Sequence, residues 1–269
     1  MIARVLTIAG SDSGGGAGIE ADLKTISAFG GYGCTCITGL TAQNTLGVQS
    51  VYPVPATFVA LCMRTVLSDI GVDSIKLGML TNADIIEAVA ANLPSQTPVV
   101  LDPVMVSTSG ASLLPDTAVT AMITALLPKA TLVTPNLPEA AKLTGLAVAT
   151  RDQQLAAGQR LLAMGAKAAL IKGGHGHEAE LTDLLVTPER VVAITLPRLE
   201  SRNTHGTGCT LSAAIATGLA QSMELEDAVR RARAYLQEAI ATAPGLGGGH
   251  GPVNHLARST WEVRSLSAR

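Results

Sequence analysis

The sequence predicts an α/β protein in three layers, a mainly parallel central sheet with helices on both faces and a small β flap. Three observations carry that expectation. Short β-branched runs alternate with helical-period segments along nearly the whole chain, the order that gives right-handed crossovers and a parallel sheet. Hydrophobic residues make up 47% of the 269 positions but aromatics only 2%, so the core must be built from Ala, Val, Leu and Ile, which suits helices packed closely on such a sheet. Polar and charged residues gather just after the predicted strands, the edge at which open α/β sheets bind ligands. No repeat, linker or charge block divides the chain, so one domain over 1–269 is expected.

Arg4 to Ala9 reads as the first strand, followed by the loop Gly10 to Gly18. Ile19, Leu23, Ile26 and Phe29 mark one helical face that ends at Gly30-Gly31. Cys34–Leu40 and Val48–Val54 are short strands around a turn at Gly47, expected to form the flap rather than part of the main sheet. Pro55 suits a helix start, and that helix runs to about Ile70. Strand Ser74–Leu77 leads to Gly78-Met79, and Asn82 caps a helix to about Asn92. Val99–Leu101 is a strand ending on Asp102. A polar loop over 107–114 and a helix over about Asp116–Leu126 follow. Leu132–Thr134 is a strand, Asn136-Leu-Pro-Glu139 opens a short helix closed by Gly145, and Asp152 starts another to about Met164. Ala168–Lys172 is a strand. Leu181–Val186 and Val191–Leu196 form an antiparallel hairpin at the sheet edge. The final helices cover Leu211 to Gln221 and about Glu226 to Thr242, and Gly245–Asn254 is a glycine-rich loop.

Composition excludes several function classes. A net charge of −2 leaves no basic footprint for nucleic acid and no polybasic membrane patch. The apolar runs fall well short of the ~18 residues that span a bilayer. The apolar run after Arg4 is too short for a signal-peptide core, which predicts a cytoplasmic protein. Four cysteines without framework spacing predict free thiols in a reducing compartment. Cys34 and Cys36 share one strand face and read as core packing rather than a zinc site, since no second ligand pair follows.

The densest chemistry lies in Asn203-Thr-His-Gly-Thr-Gly-Cys-Thr-Leu211. A Gly- and Thr-rich loop running into an Ala-rich helix lets the amides of Gly206, Thr207, Gly208 and Cys209 converge at a helix start, a site for a phosphate or a developing anion, or alternatively, on the glycines alone, a left-handed turn before a buried helix. The helix dipole is expected to lower the Cys209 thiol pKa and make it a candidate proton acceptor. The strand ends add Gly10 to Gly18, Gln43-Asn44, Met79, Asp102, Asn136 with Glu139, and Lys172-Gly173-Gly174. Asp102 and Glu139 are hard oxygen ligands suited to Mg²⁺ beside a nucleotide, or alternatively a turn residue and a first-turn dipole partner. Lys172 ends a buried strand, an expensive place for a cation without an anion, unless it snorkels to the surface. A P-loop is excluded because Leu23 stands where its second glycine belongs, and the dinucleotide fingerprint fails at Ile19.

These stretches resemble the hydroxymethylpyrimidine and phosphomethylpyrimidine kinases of thiamine biosynthesis, in the ribokinase-like superfamily. The likeness runs nearly end to end, through Thr7 to Ile19, Glu20 to Thr25, Ala42 to Thr45, Lys76 to Met79, Leu101 to Val104, Thr134 to Ala140, Ile171 to His175 and Asn203 to Leu211. Ser13 departs from the pattern, in which many members carry proline. The resemblance implies a ribokinase-like fold and an ATP- and Mg²⁺-dependent kinase acting on 4-amino-5-hydroxymethyl-2-methylpyrimidine and then on its monophosphate. It implies that Gln43 reads the aminopyrimidine, whose ring nitrogen and amino group a carboxamide can pair with, and that Gly10, Asp12, Ala17, Met79 and Val104 surround the ring. Asp102 and Glu139 would serve Mg²⁺, Asn136, Lys172 and Thr207 the nucleotide, and the Gly206–Cys209 loop the transferred phosphoryl group. Sugar kinases of the superfamily carry an Asp base where this chain has Cys209. A homodimer is expected, with the flap over the pyrimidine and in the dimer contact. The alternatives are a pyridoxal kinase and a non-catalytic pyrimidine sensor, which would need no metal site. His250 and His255 read as structural or solvated, and Gly247 to Pro252 receives no role.

Overall fold

The computed structural model describes residues 2–106, 110, 113–174 and 179–257. The polar loop expected over 107–114 falls mostly outside these residues, as does His175. The strands are β1 (Arg4–Asp12), β2 (Tyr32–Asn44), β3 (Gly47–Pro53), β4 (Ser74–Leu77), β5 (Val99–Leu101), β6 (Leu132–Val133), β7 (Ala169–Ile171), β8 (Glu180–Val186) and β9 (Val191–Pro197). They form one sheet in the order β3-β2-β1-β4-β5-β6-β7-β8-β9. The strands from β2 through β7 in that order pair in parallel, while β3, β8 and β9 attach antiparallel at the two edges.

The helices are α1 (Gly18–Ala28), α2 (Ala56–Asp69), α3 (Ala83–Asn92), α4 (Asp116–Ala121), α5 (Leu137–Thr144), α6 (Arg151–Ala163), α7 (Thr207–Ala220) and α8 (Leu225–Ala241). Strand alternation divides them between two faces. Leu6, Ile8, Leu101, Val133 and Ile171 point into a core with Met63 of α2, Ile86 of α3 and Leu161 of α6. Val5, Val100, Leu132 and Leu170 point the other way, onto Ile26 of α1, Ile215 of α7 and Tyr235 of α8. The three-layer expectation holds. Local signals placed the helix ends well. Asn82 caps α3 by accepting from the Ile85 amide at 3.0 Å, and Gly145 closes α5 in the left-handed conformation, φ 71°. α4 departs from a plain helix, passing into a π turn over Met122–Leu126 and a 3₁₀ turn over Leu127–Lys129.

The expectation that both flap strands lie outside the main sheet is corrected. β2 pairs in parallel with β1 from Tyr32 to Ile37 and, past an irregularity, again at Leu40 and Thr41, with Cys34 and Cys36 alternating into the same core as Leu6 and Ile8. Beyond Gly39 no residue of the strand is fully buried, exposed and half-buried positions alternate, and the strand forms a hairpin with β3. The flap is therefore Gly39–Pro53, an extension of a sheet strand. Its outer surface exposes Leu40, Tyr52 and, on adjacent α2, Phe58 and Leu61.

The segment after α8 crosses back over the carboxyl edge of the sheet. The His250 amide donates to the Thr45 carbonyl at 2.9 Å, at the flap tip, and the Gly249 amide donates to Thr45 Oγ1 at 3.3 Å. A Cβ on Gly249 would sit 2.1 Å from that Thr45 carbonyl oxygen. Two residues on, Gly251 accepts from the His205 amide at 3.1 Å, and Pro252 pairs in parallel with His205. His255 ends the crossing, buried, its Nε2 3.1 Å from Thr210 Oγ1 and its carbonyl accepting from Tyr235. It is a structural histidine, as its sequence suggested, and burial pushes its pKa down to about 4.

Candidate active site

Parallel strands deliver their carboxyl ends to one edge, and a cavity of about 630 Å³ lies there. All the residues picked from the sequence line it: Gly10, Asp12, Ala17, Gln43, Met79, Asp102, Val104, Asn136, Glu139, Lys172, Gly206, Thr207, Gly208 and Cys209.

At one end the loop after β1 is organised by Asp12, which is 4% exposed. Its Oδ1 accepts from the Gly14 amide at 2.8 Å. Its Oδ2 accepts from the amides of Gly16 at 3.0 Å and Ala17 at 2.8 Å, and lies 2.8 Å from His205 Nε2. Burial alone would raise the pKa of this carboxyl; the bonds from His205, Ala17 and Gly14 more than offset it and hold the group below its ordinary value. With so many donors on its oxygens, Asp12 positions the loop. Gln43 reaches in from the flap, its amide nitrogen 2.9 Å from the same His205 Nε2.

In the middle lies the start of α7. Gly206 caps it with φ 80°, a left-handed conformation, and a side chain there would overlap the Gly16 carbonyl. No side chain caps this helix, and the Thr210 amide already bonds the Gly206 carbonyl, so the Gly208 and Cys209 amides are the unpaired donors of the first turn. Beside them Lys172 Nζ lies 3.0 Å from Asp102 Oδ1 and 3.9 Å from Glu139 Oε2. A Cβ on Gly208 would stand 3.2 Å from Asp102 Oδ2 and 3.4 Å from Lys172 Nζ, so the absence of a side chain brings the helix start against both charges. Burial works against the Lys172 ammonium, but Asp102 and Glu139 outweigh it and keep its pKa raised.

Glu139 belongs to a capping box. Its Oε2 accepts from the Asn136 amide at 2.8 Å while Asn136 Oδ1 accepts from the Glu139 amide at 2.8 Å. Burial, assisted by Asp102 and opposed by Lys172, pushes its carboxyl up to about 7. The two carboxylates face one ammonium, which leaves a hard, anionic oxygen pair at the helix start. That donor set fits Mg²⁺ held largely through water and phosphate, although no cluster of three or more acidic, His or Cys side chains that could cage a metal occurs among the described residues.

The expectation for the Cys209 thiol is corrected. Its pKa is pushed up to about 11, not lowered. Burial dominates. The Lys76 ammonium and a hydrogen bond from the Gly18 backbone pull it down, while Asp22 and Asp102 push it further up. A helix dipole acts as a fraction of a charge, and removing the thiolate from water costs more.

Sequence reasoning missed three groups here. His205 sits inside the singled-out stretch, but its partner Asp12 is 193 positions away. Lys76 and Asp22 form a fully buried ion pair at 2.8 Å, with Thr7 Oγ1 also donating to Asp22 Oδ2. The signal was present: Asp22 lies on the apolar face of α1, and Lys76 interrupts a buried four-residue strand. The far end of the cavity also went unread. Leu181, Pro197, Leu199, Leu236 and Ile240 line it, above Asp183, which accepts from the Gly173 amide and pairs with Arg233 at 2.8 Å.

A cleft at the carboxyl edge of a parallel sheet, with two carboxylates and an ammonium beside a helix start, a polar end at Gln43 and His205 and an apolar end at Leu181, Leu199 and Leu236, is the architecture of a small-molecule kinase. Residues 12–254 match the family model described as phosphomethylpyrimidine kinase. The chain belongs to that family. It is 50% identical over 262 residues to the hydroxymethylpyrimidine/phosphomethylpyrimidine kinase of Rhizobium meliloti, covering 96% of this chain and 98% of that one. It is 49% identical over 254 residues to the thiamine biosynthesis bifunctional protein ThiED of Geobacter sulfurreducens, covering 94% of this chain but spanning only 52% of that longer protein. Among solved structures, the phosphomethylpyrimidine kinase of Clostridium difficile superposes with a TM-score of 0.79 at 40% identity, covering 88% of this chain and 99% of that one. The Staphylococcus aureus pyridoxal kinase in complex with AMP-PCP and pyridoxal superposes at 0.88 with 34% identity, covering 96% and 94%. The ribokinase-like fold expected from the sequence holds.

Proposed function

We propose that this chain transfers the γ-phosphoryl group of ATP to the hydroxymethyl oxygen of 4-amino-5-hydroxymethyl-2-methylpyrimidine, and then a second phosphoryl group to the resulting monophosphate. The observation that carries the reading is the single continuous cavity. The Gln43 end, lined by Gly10, Ala17, Met79 and Val104, takes the ring in this reading, the α7 start with Lys172, Asp102 and Glu139 the phosphates, and the apolar lining of Leu181, Pro197, Leu236 and Ile240 the purine. Its support is the family membership and the names of the close relatives.

In this reading Gln43 pairs with the aminopyrimidine edge, and Gly10, Ala17, Met79 and Val104 enclose the ring. Lys172, Thr207 and the Gly208 and Cys209 amides receive the phosphoryl oxygens, supplying charge stabilisation where negative charge is shared between attacking and leaving oxygens. Asn136 and the apolar end hold the nucleotide. Asp102 and Glu139 hold Mg²⁺, which neutralises phosphate charge when bound. The alcohol oxygen bonds the γ-phosphorus as the bond to the bridging oxygen breaks. In a loose transition state the alcohol proton leaves late and passes to an oxygen of the transferred phosphoryl group or to water, so a preformed thiolate is not required. The neutral Cys209 thiol suits the second step, because it does not repel the incoming monophosphate as a carboxylate would. The protein acts as a single cytoplasmic domain. Two copies join through the apolar flap surface of Leu40, Tyr52, Phe58 and Leu61. Among the described residues no helix is long and apolar enough to cross a membrane.

A pyridoxal kinase is the second reading, favoured by the close superposition on a pyridoxal-bound enzyme. Substrate-dependent ATP turnover on the pyrimidine alcohol, its monophosphate and pyridoxal, with product analysis, separates the two. Turnover on pyridoxal alone would overturn the pyrimidine assignment.

A further inference from the structure

The contact among Asp12, His205 and Gln43 poses a problem of donors and acceptors. Asp12 Oδ2 lies 2.8 Å from His205 Nε2 and also takes two backbone N–H bonds. An ionised carboxylate only accepts, so His205 Nε2 carries a hydrogen and donates it. Gln43 approaches that same Nε2 at 2.9 Å. An amide nitrogen is itself a donor and cannot bond a donating N–H. A half-turn of the Gln43 amide puts its carbonyl oxygen there instead, sharing the Nε2–H with Asp12.

His205 is built to hold that arrangement. It is 9% exposed, its amide is bonded to the Gly251 carbonyl, and its ring packs on Gly16, where a Cβ would come within 2.6 Å of His205 Cδ2. The crossing segment that fixes His205 also fixes the flap tip, two residues beyond Gln43, through the Thr45 carbonyl. Both partners are thus set by one piece of backbone.

We infer that His205 is a specificity-determining positioning residue, which locks the Gln43 amide in one of its two orientations and so decides which ring edge the pocket accepts. The inference rests on Gln43 being the ring reader proposed above. With the carbonyl oxygen pinned toward His205, its second lone pair accepts from an exocyclic amino group, and the NH₂ donates to the neighbouring ring nitrogen. The hydroxymethyl group must reach the α7 start, which fixes the ring's rotation. A 4-oxo ring presents a carbonyl and a ring N–H in the same two places, so both contacts become repulsive. An unlocked amide would turn over and accept either ring.

The test compares kcat/KM for 4-amino-5-hydroxymethyl-2-methylpyrimidine and its 4-oxo counterpart in the wild type, His205→Leu and Gln43→Leu. The wild type is expected to prefer the amino ring by ~100-fold or more, as polar sites reject mismatched analogues. In His205→Leu the ratio should shrink below ~10-fold, mostly through KM, with KM for ATP within about twofold, as expected when one buried hydrogen bond is lost. A ratio unchanged in His205→Leu overturns the lock, and so does a wild type that uses both rings within about fivefold, a result that needs no variant to fold. Gln43→Leu separates the two levels. If it leaves KM for the amino ring unchanged, the reading of Gln43 as ring reader falls. If it raises that KM while the His205→Leu ratio stays put, only the lock falls.

Discussion

Glu139 stands in two roles that a pair of substitutions separates. Its Oε2 closes the α5 capping box at 2.8 Å from the Asn136 amide, and the same oxygen lies 3.9 Å from Lys172 in the cluster assigned to Mg²⁺. Glu139→Gln keeps an oxygen that can accept from Asn136 but removes the charge; the lost dipole interaction is worth about 0.3–1 kcal/mol. Glu139→Ala also removes the reciprocal bond from the Asn136 amide, leaving the Asn136 cap in place, and should cost about 1 kcal/mol more. For a chain of this size 1 kcal/mol moves Tm by roughly 2–4 °C, so only the alanine variant should melt clearly lower. Both should raise the Mg²⁺ concentration for half activity by ~10–100-fold, with partial rescue by excess Mg²⁺. The wild type adds a pH signature. Its carboxyl is ordinarily near 4.5 and is pushed to about 7 when folded, so the folded state binds the proton more tightly. That stabilisation is complete below about pH 4.5 and is lost as pH rises toward 7; Glu139→Gln should abolish this slope. Because metal binds the ionised form, the Mg²⁺ requirement should fall as pH rises through about 7. Assays are a Mg²⁺ titration of initial rate and thermal melts at several pH values. Activity lost in both variants at an unchanged Mg²⁺ requirement would refute the metal role and leave Glu139 a cap.

The remaining predictions concern other parts of the cleft. Cys209→Asp should slow phosphorylation of the monophosphate at least ~10-fold more than that of the alcohol, through charge repulsion; equal losses in separate initial-rate measurements would mean the residue is packing. Lys76→Met should destabilise by about 3–5 kcal/mol in denaturant melts because Asp22 is left buried and uncompensated, and adding Asp22→Leu should recover most of it. A loss below about 1 kcal/mol for Lys76→Met alone would contradict a fully desolvated pair. Light scattering at micromolar concentration should give a dimer, and Tyr52→Glu with Phe58→Glu a monomer; a monomeric wild type removes the flap interface.

Much of the site was legible because a parallel α/β sheet delivers chemistry by rule. Asp102 and Lys172 stand where strands end and Gly206 where a helix starts, and a one-dimensional pattern locates both. Helix starts were legible for the same reason, through Asn82 and Asn136. What escaped depends on depth and distance. The Cys209 pKa was misjudged because the dipole is local, while the burial that raises the pKa and the charges of Asp22, Lys76 and Asp102 around the thiol are set by tertiary packing. His205 escaped because its meaning lies in Asp12 and Gln43. The flap was half misplaced because β2 changes from buried to exposed within one continuous strand.

The glycine-rich crossing that ties Thr45 to His205 also sets a schedule for synthesis. Gln43 leaves the ribosome about 200 residues before Pro252, which at ~5–20 residues per second is an interval of roughly 10–40 s. Throughout that time the flap tip lacks the backbone donors of Gly249 and His250, and His205 lacks the Gly251 carbonyl. The nucleotide end and the sheet beneath it can form while translation continues, but the ring pocket cannot close. Ring recognition therefore waits for the glycine-rich crossing, and a chain that stops between residues 242 and 248 keeps every strand and helix of the fold but lacks the segment that holds the flap tip and His205.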